Sequence, residues 1–242
     1  MSEALRKLEI KNRPEFIKFV DSFAKISDSF IADVQADQIS VITTSPDSTL
    51  IVYGQYKCNA TYCTSLNIPD SKKLVRVLDT ISSEQIEFIL NSNNLEYKDK
   101  SVRFKYHLFE DGFLAKPALS IKKIEQFEYD IVFNLTKAQI QSLVKGSTFT
   151  TETNKLYIYT DGTSLIGELT DKIRHNSDSY SLKLGDVDFT LSPIAVNFEN
   201  IRLLTLFNDN IVVRINSKLG VLAVECDTDS IKLTYIITSY TQ

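Results

Sequence analysis

The stretch LTKAQIQSLVKGSTFTTETNKLYIYTDGTSLIGEL, residues 135–169, changes rhythm partway along. In its first part Ile140, Leu143 and Val144 recur on one helical face. Thr136 stands where a helix N-cap is wanted and Gly146 where a C-cap is wanted. Three runs rich in β-branched and aromatic residues follow, at 148–151, 155–160 and 163–169. Asp161-Gly162 joins the last two as a hairpin turn. So short a helix does not persist alone in water, and its apolar stripe must dock on those strands.

The same unit recurs along the chain. Phe16, Phe19, Val20 and Phe23 mark a helix, followed by strand-like runs at 30–35, 38–44 and 49–56. Ala36-Asp37 and Ser45-Pro46-Asp47-Ser48 punctuate them. A helix over 70–81 turns Leu74, Val77, Leu78 and Ile81 inward and precedes runs at 85–90, 95–97 and 101–106. A shorter one over 197–205 precedes runs at 211–215, 221–225 and 231–236. Strand–helix–three strands thus appears four times, at intervals of roughly 60 residues. Residues 114–126 fit neither pattern and read as a connector between an N-terminal domain, 1–113, and a C-terminal one, 127–242.

With 242 residues, 43% hydrophobic and 24% charged, each half can bury a core, and wholesale disorder is excluded. No run approaches the roughly 18 apolar residues of a membrane span. The first residues lack the apolar segment of a secretory signal, and three cysteines suit reduced thiols. A cytoplasmic chain is expected, in the host cell if the protein is viral. Cys58 and Cys63 lack metal-ligand spacing and read as buried structural thiols, while His107 and His175 lie in unrelated segments. Asp161-Gly162-Thr163 reads as a turn, and no Gly-rich phosphate loop is present. Neither an enzyme nor a metal or other cofactor is expected.

A net charge of −4, from 27 basic and 31 acidic residues, would argue against nucleic acid if it were evenly spread. It is not. The outward faces of the helices carry Arg13, Lys18 and Lys25; Lys72, Lys73 and Arg76; Lys137 and Lys145; and Arg202 beside Glu199. The four helical windows hold charges of +1, +1, +2 and 0, leaving −8 on the strands and loops. A solvated lysine face explains any one helix. Four equivalent helices support a basic surface that meets phosphates while the remainder repels them.

This plan resembles a DNA polymerase sliding clamp, and most nearly the T-even-type tailed-phage processivity factors. The local likeness is carried by 180–188 (YSLKLGDVD), with Asn154-Lys-Leu-Tyr-Ile-Tyr159 and Gly220-Val-Leu-Ala-Val-Glu-Cys226 at fitting positions. It is best over about 128–238, and over 1–113 it rests on pattern. The resemblance implies an α+β DNA-clamp fold of two similar domains, with sheets outside and helices on one face. It also implies a non-catalytic homotrimeric ring around double-stranded DNA, opened by an ATP-dependent clamp loader and tethering the DNA polymerase without reading base sequence. By position, Lys18, Lys25, Lys72, Lys73, Arg76, Lys137, Lys145 and Arg202 are similar to the basic residues that face DNA. Family clamps bind a partner peptide in an apolar pocket beside the connector, for which Leu50, Leu119, Ile121 and Ile236 are the matching residues here. The chain ends Ser239-Tyr-Thr-Gln242, without the acidic terminus that the resemblance leads one to expect. The alternative is a β-rich virion structural protein with a duplicated domain, which gives no reason for lysines to gather on helices.

Overall fold

The computed structural model describes residues 6–116, 126–174, 176–206 and 211–240. The expected pocket residues Leu119 and Ile121, most of the connector and His175 lie outside them.

The four units are all present, opening at Lys7, Thr64, Ile131 and Ile194. The first runs β1 (Lys7–Ile10), α1 (Arg13–Ala24), β2 (Phe30–Val34), β3 (Gln38–Thr44), β4 (Leu50–Lys57) and a two-residue β5 (Asn59–Ala60). The second runs β6 (Thr64–Ile68), α2 (Ser71–Asp79), β7 (Ile86–Asn91), β8 (Asn94–Lys98) and β9 (Arg103–His107). In the third, β10 (Ile131–Leu135) leads to α3 (Lys137–Gly146), β11 (Lys155–Asp161), β12 (Ser164–Leu169) and β13 (Tyr180–Asp186). The fourth has β14 (Ile194–Asn197), α4 (Phe198–Arg202) with a 3-10 turn over Leu203–Leu206, then β15 (Ile211–Asn216), β16 (Val221–Asp227) and β17 (Ile231–Thr238).

Contacts divide the chain into two units, Met1–Ile121 with Asp227–Leu233, and Lys122–Cys226 with Thr234–Gln242. In the first, one sheet has the order β5-β1-β7-β8-β9, and β4-β3-β2-β6 are neighbours in another. Helices α1 and α2 pack on each other, and α1 lies on β4. Asn12 caps α1 by accepting the Glu15 N–H at 3.1 Å. The buried Phe16, Phe19, Val20 and Phe23 then face inward, each worth about 1.5–3 kcal/mol of burial before chain ordering is subtracted. Backbone and helix approach so closely that a Cβ on Gly54 would lie 2.6 Å from Leu233 Cδ2 and 2.9 Å from Phe23 Cζ.

In the second unit the sheet β13-β12-β11-β14 carries α3, with β10-β15-β16 in a further run. Thr136 and Gln139 form a reciprocal capping box at the start of α3. Its end differs from the sequence expectation. Gly146 is the last helical residue, and the cap is Ser147, at φ −67°. Glycine is needed for room: a Cβ there would sit 2.2 Å from Cδ1 of Tyr180. The strand expected at 148–151 is a turn instead. The Ser147 hydroxyl donates to Val144 O and the Thr148 hydroxyl to Lys145 O, both continuing the helix end rather than a sheet. The third strand of this repeat is β13.

Candidate nucleic-acid interface

The exposed sides of the helices carry the expected cations, but not all to the same effect. Lys18, Lys73, Arg76 and Lys145 are exposed and form no ion pair among the described residues. Lys25 pairs with Asp21 at 3.3 Å and Lys72 with Asp28 at 2.8 Å, so part of their charge is met locally. Lys137 is half-buried at the start of α3. Arg202 is folded back on its own unit: its guanidinium lies 5.4 Å from the Phe198 ring centre, pairs with Glu199 and donates to Ser147 Oγ at 2.7 Å. Arg13 departs further from the outward position given to it. Its Nε donates to Ser83 O at 3.0 Å and its Nη1 to Leu78 O at 3.4 Å, tying the start of α1 to the end of α2.

The apolar residues expected at a peptide pocket sit differently. Leu50 is 2% exposed and Ile236 3%, so neither offers area to a ligand. Leu50 shares the face of β4 with Gly54, which lies against α1. Strand alternation turns Ile51 and Tyr53 to the opposite face, where both are half-buried beside Ile42 of β3. A pleat shifted by one residue exchanges faces, so the apolar run does not say which of its residues lie on this side. The Ser45–Thr49 turn at the end of this strip is held by Asp47, which accepts from the Ser45 and Thr49 hydroxyls. Those bonds keep its carboxyl below the usual range.

Among the described residues β9 and β13 are sheet edges. Residues 98–107 around β9 carry Lys98, Lys100, Arg103 and Lys105 against Asp99. Residues 178–188 around β13 carry Asp178, Asp186 and Asp188 against Lys183. The edges therefore differ in sign. Of the three thiols, Cys58 and Cys226 are buried, whereas Cys63, expected inside, is exposed in the turn after β5. Burial, and secondarily Asp37, pushes the Cys58 thiol up to about 12.

No family model and no curated protein matches the sequence. In structure the chain is similar to PCNA from Thermococcus kodakaraensis, at 13% identity and a TM-score of 0.76, covering 97% of this chain and 100% of that one. Proliferating cellular nuclear antigen from Entamoeba histolytica gives 12% identity and a TM-score of 0.79, covering 99% and 100%. A. fulgidus PCNA, solved with the C-terminal region of FEN-1 bound, gives 11% and 0.76, covering 98% and 99%. Over nearly its whole length, the chain has the strand-rich α+β DNA-clamp fold.

Proposed function

We propose that the protein is the subunit of a DNA sliding clamp of the T-even-type phage kind. It would close as a homotrimer around double-stranded DNA and, without catalysis of its own, tether the DNA polymerase after an ATP-dependent loader has opened it. The observation that carries this reading is the partition of charge within a clamp fold. A chain of net charge −4 keeps Lys18, Lys73, Arg76 and Lys145 exposed and without ion pairs among the described residues on its short helices. Ammonium groups that reach phosphates attract DNA without reading base edges. A threaded ring needs no tight contact, so weak, salt-sensitive attraction is sufficient for sliding.

Two further features support the ring. Edges of opposite sign suit a head-to-tail pairing of β9 in one copy with β13 in the next, and a heterologous contact that closes makes a ring. The half-buried strip of Ile42, Ile51 and Tyr53 offers an extended partner peptide an apolar seat on the first unit. Light scattering after size exclusion tests the assembly: the expected mass is that of three 27.5 kDa chains, and a monomer at micromolar concentration would overturn the ring. Replacing Lys73 and Lys145 by Glu should leave the melting temperature and mass unchanged but shorten polymerase extension products at moderate salt. Products of undiminished length would remove these residues from the DNA path.

A further inference from the structure

A cleft of about 420 Å³ opens in the first unit where four separate segments meet. Its lining comes from Lys11 before α1, the β2–β3 turn, the end of β4 with Asn59, and the turn leading into β17. Two backbone N–H groups at the rim are already paired. The Lys57 N–H donates to Ser230 O at 2.9 Å, and the Cys58 N–H donates to Asp37 O at 3.0 Å. Side chains therefore set what the cleft can hold.

Three of them are cations. Lys11, Lys57 and Lys232 are exposed, line the same concavity and form no ion pair among the described residues. Asp37 is the one carboxylate in the lining, while Asp227 at the end of β16 and Asp229 in the turn after it stand outside it. Three ammonium groups around one concavity of a net-negative chain favour an anion. Gln55 adds an amide group that can bond a peptide backbone, whereas the Asn59 Nδ2 already donates to Glu9 Oε2 at 3.4 Å.

The occupant is further narrowed by what the cleft lacks. Tyr56 is the one aromatic residue of the lining, only 1% exposed, and its hydroxyl donates to Asn12 O at 2.8 Å. It gives no face on which a base could stack, the main sequence-tolerant contact to single strands. A concavity of this size also cannot follow the convex backbone of a duplex. We propose that this cleft binds an acidic peptide segment of a partner protein, its carboxylates meeting Lys11, Lys57 and Lys232. Neither the helix cations nor a ring is needed for this cleft to bind.

Fluorescence anisotropy of the full chain with a fluorescein-labelled octaglutamate peptide at low salt tests it. Saturable binding is expected, weakened about tenfold by Lys57→Glu but unchanged by Lys218→Glu, the same charge reversal on the second unit. In the unsubstituted protein, titration should shift the amide resonances of Lys57, Asn59 and Ser230, a readout independent of how any variant folds. Absence of saturable binding, equal weakening by both substitutions, or shifts confined to other residues would each overturn the site. Displacement of the peptide by an equimolar thymidine octanucleotide would overturn the peptide assignment in favour of single-stranded nucleic acid.

Discussion

At the scale of single residues, burial decides chemistry that the residue type leaves open. Tyr56 packs edge-on against Phe16, with ring centres 5.1 Å apart, and its hydroxyl bonds Asn12 O beside the cap of α1. Burial pushes this phenol up to about 12. A folded-state value above the unfolded one of about 10 means that the neutral form stabilises the fold below pH ~10, and that this contribution is lost as pH rises towards 12. Denaturation midpoints measured from pH 9 to pH 12 should therefore fall more steeply for the native protein than for Tyr56→Phe. Parallel curves would mean that the phenol is exposed in solution. The variant itself should be less stable by about 1 kcal/mol at neutral pH, having lost one part-buried hydrogen bond. Nothing in the sequence says which of Tyr53 and Tyr56, three positions apart in one strand-like run, faces the core. Nor does it separate the buried Cys58 from the exposed Cys63.

At the scale of elements, the helix-to-sheet contact of the second unit rests on a missing side chain. The end of α3 touches the Tyr180 ring of β13 at Gly146, where a Cβ would meet Cδ1 at 2.2 Å and Cγ at 2.5 Å. Gly146→Ala gains helix propensity but must displace the ring near its attachment, not at its tip. We expect a net loss of about 1–3 kcal/mol in chemical denaturation, without loss of helix by circular dichroism. A gain in stability would show that propensity outweighs the contact. The helices themselves were legible, because apolar spacing and caps such as Thr136 and Asp70 are local signals. Residues 148–151 depart from the expected strand for an equally local reason: Thr and Phe favour strands on average, but here hydroxyls finish the helix. The side on which Leu50 lies is not legible, because a run of apolar residues, Leu50-Ile51-Val52-Tyr53, does not say which parity faces α1.

At the scale of the whole molecule, the proposed ring depends on two edges that lie far apart in sequence. If they pair, Lys100→Glu with Arg103→Glu should weaken self-association about tenfold or more, as should Asp178→Lys with Asp188→Lys. Combining all four substitutions in one chain restores opposite signs and should recover much of the mass seen by light scattering. Additive weakening in the combined variant would sink the edge pairing, whatever the fold. The edges themselves are not legible from composition, since a strand run looks the same in the middle of a sheet as at its margin.

Local sequence pattern is enough for the fourfold strand–helix–three-strand plan, for the inward stripes of α1, α2 and α3, and for the cations on their outward sides. All three follow from periods of 2 and 3.6 residues, which act over a few positions and need no distant partner. Folding alone establishes that Arg13 ties two helices together, that Leu50 and Ile236 are interior, and that Lys11, Lys57 and Lys232 share one cleft. Those facts depend on which segments meet after the chain has folded. Spacing along the chain carries no record of that, because register between distant strands is set by packing across the sheet.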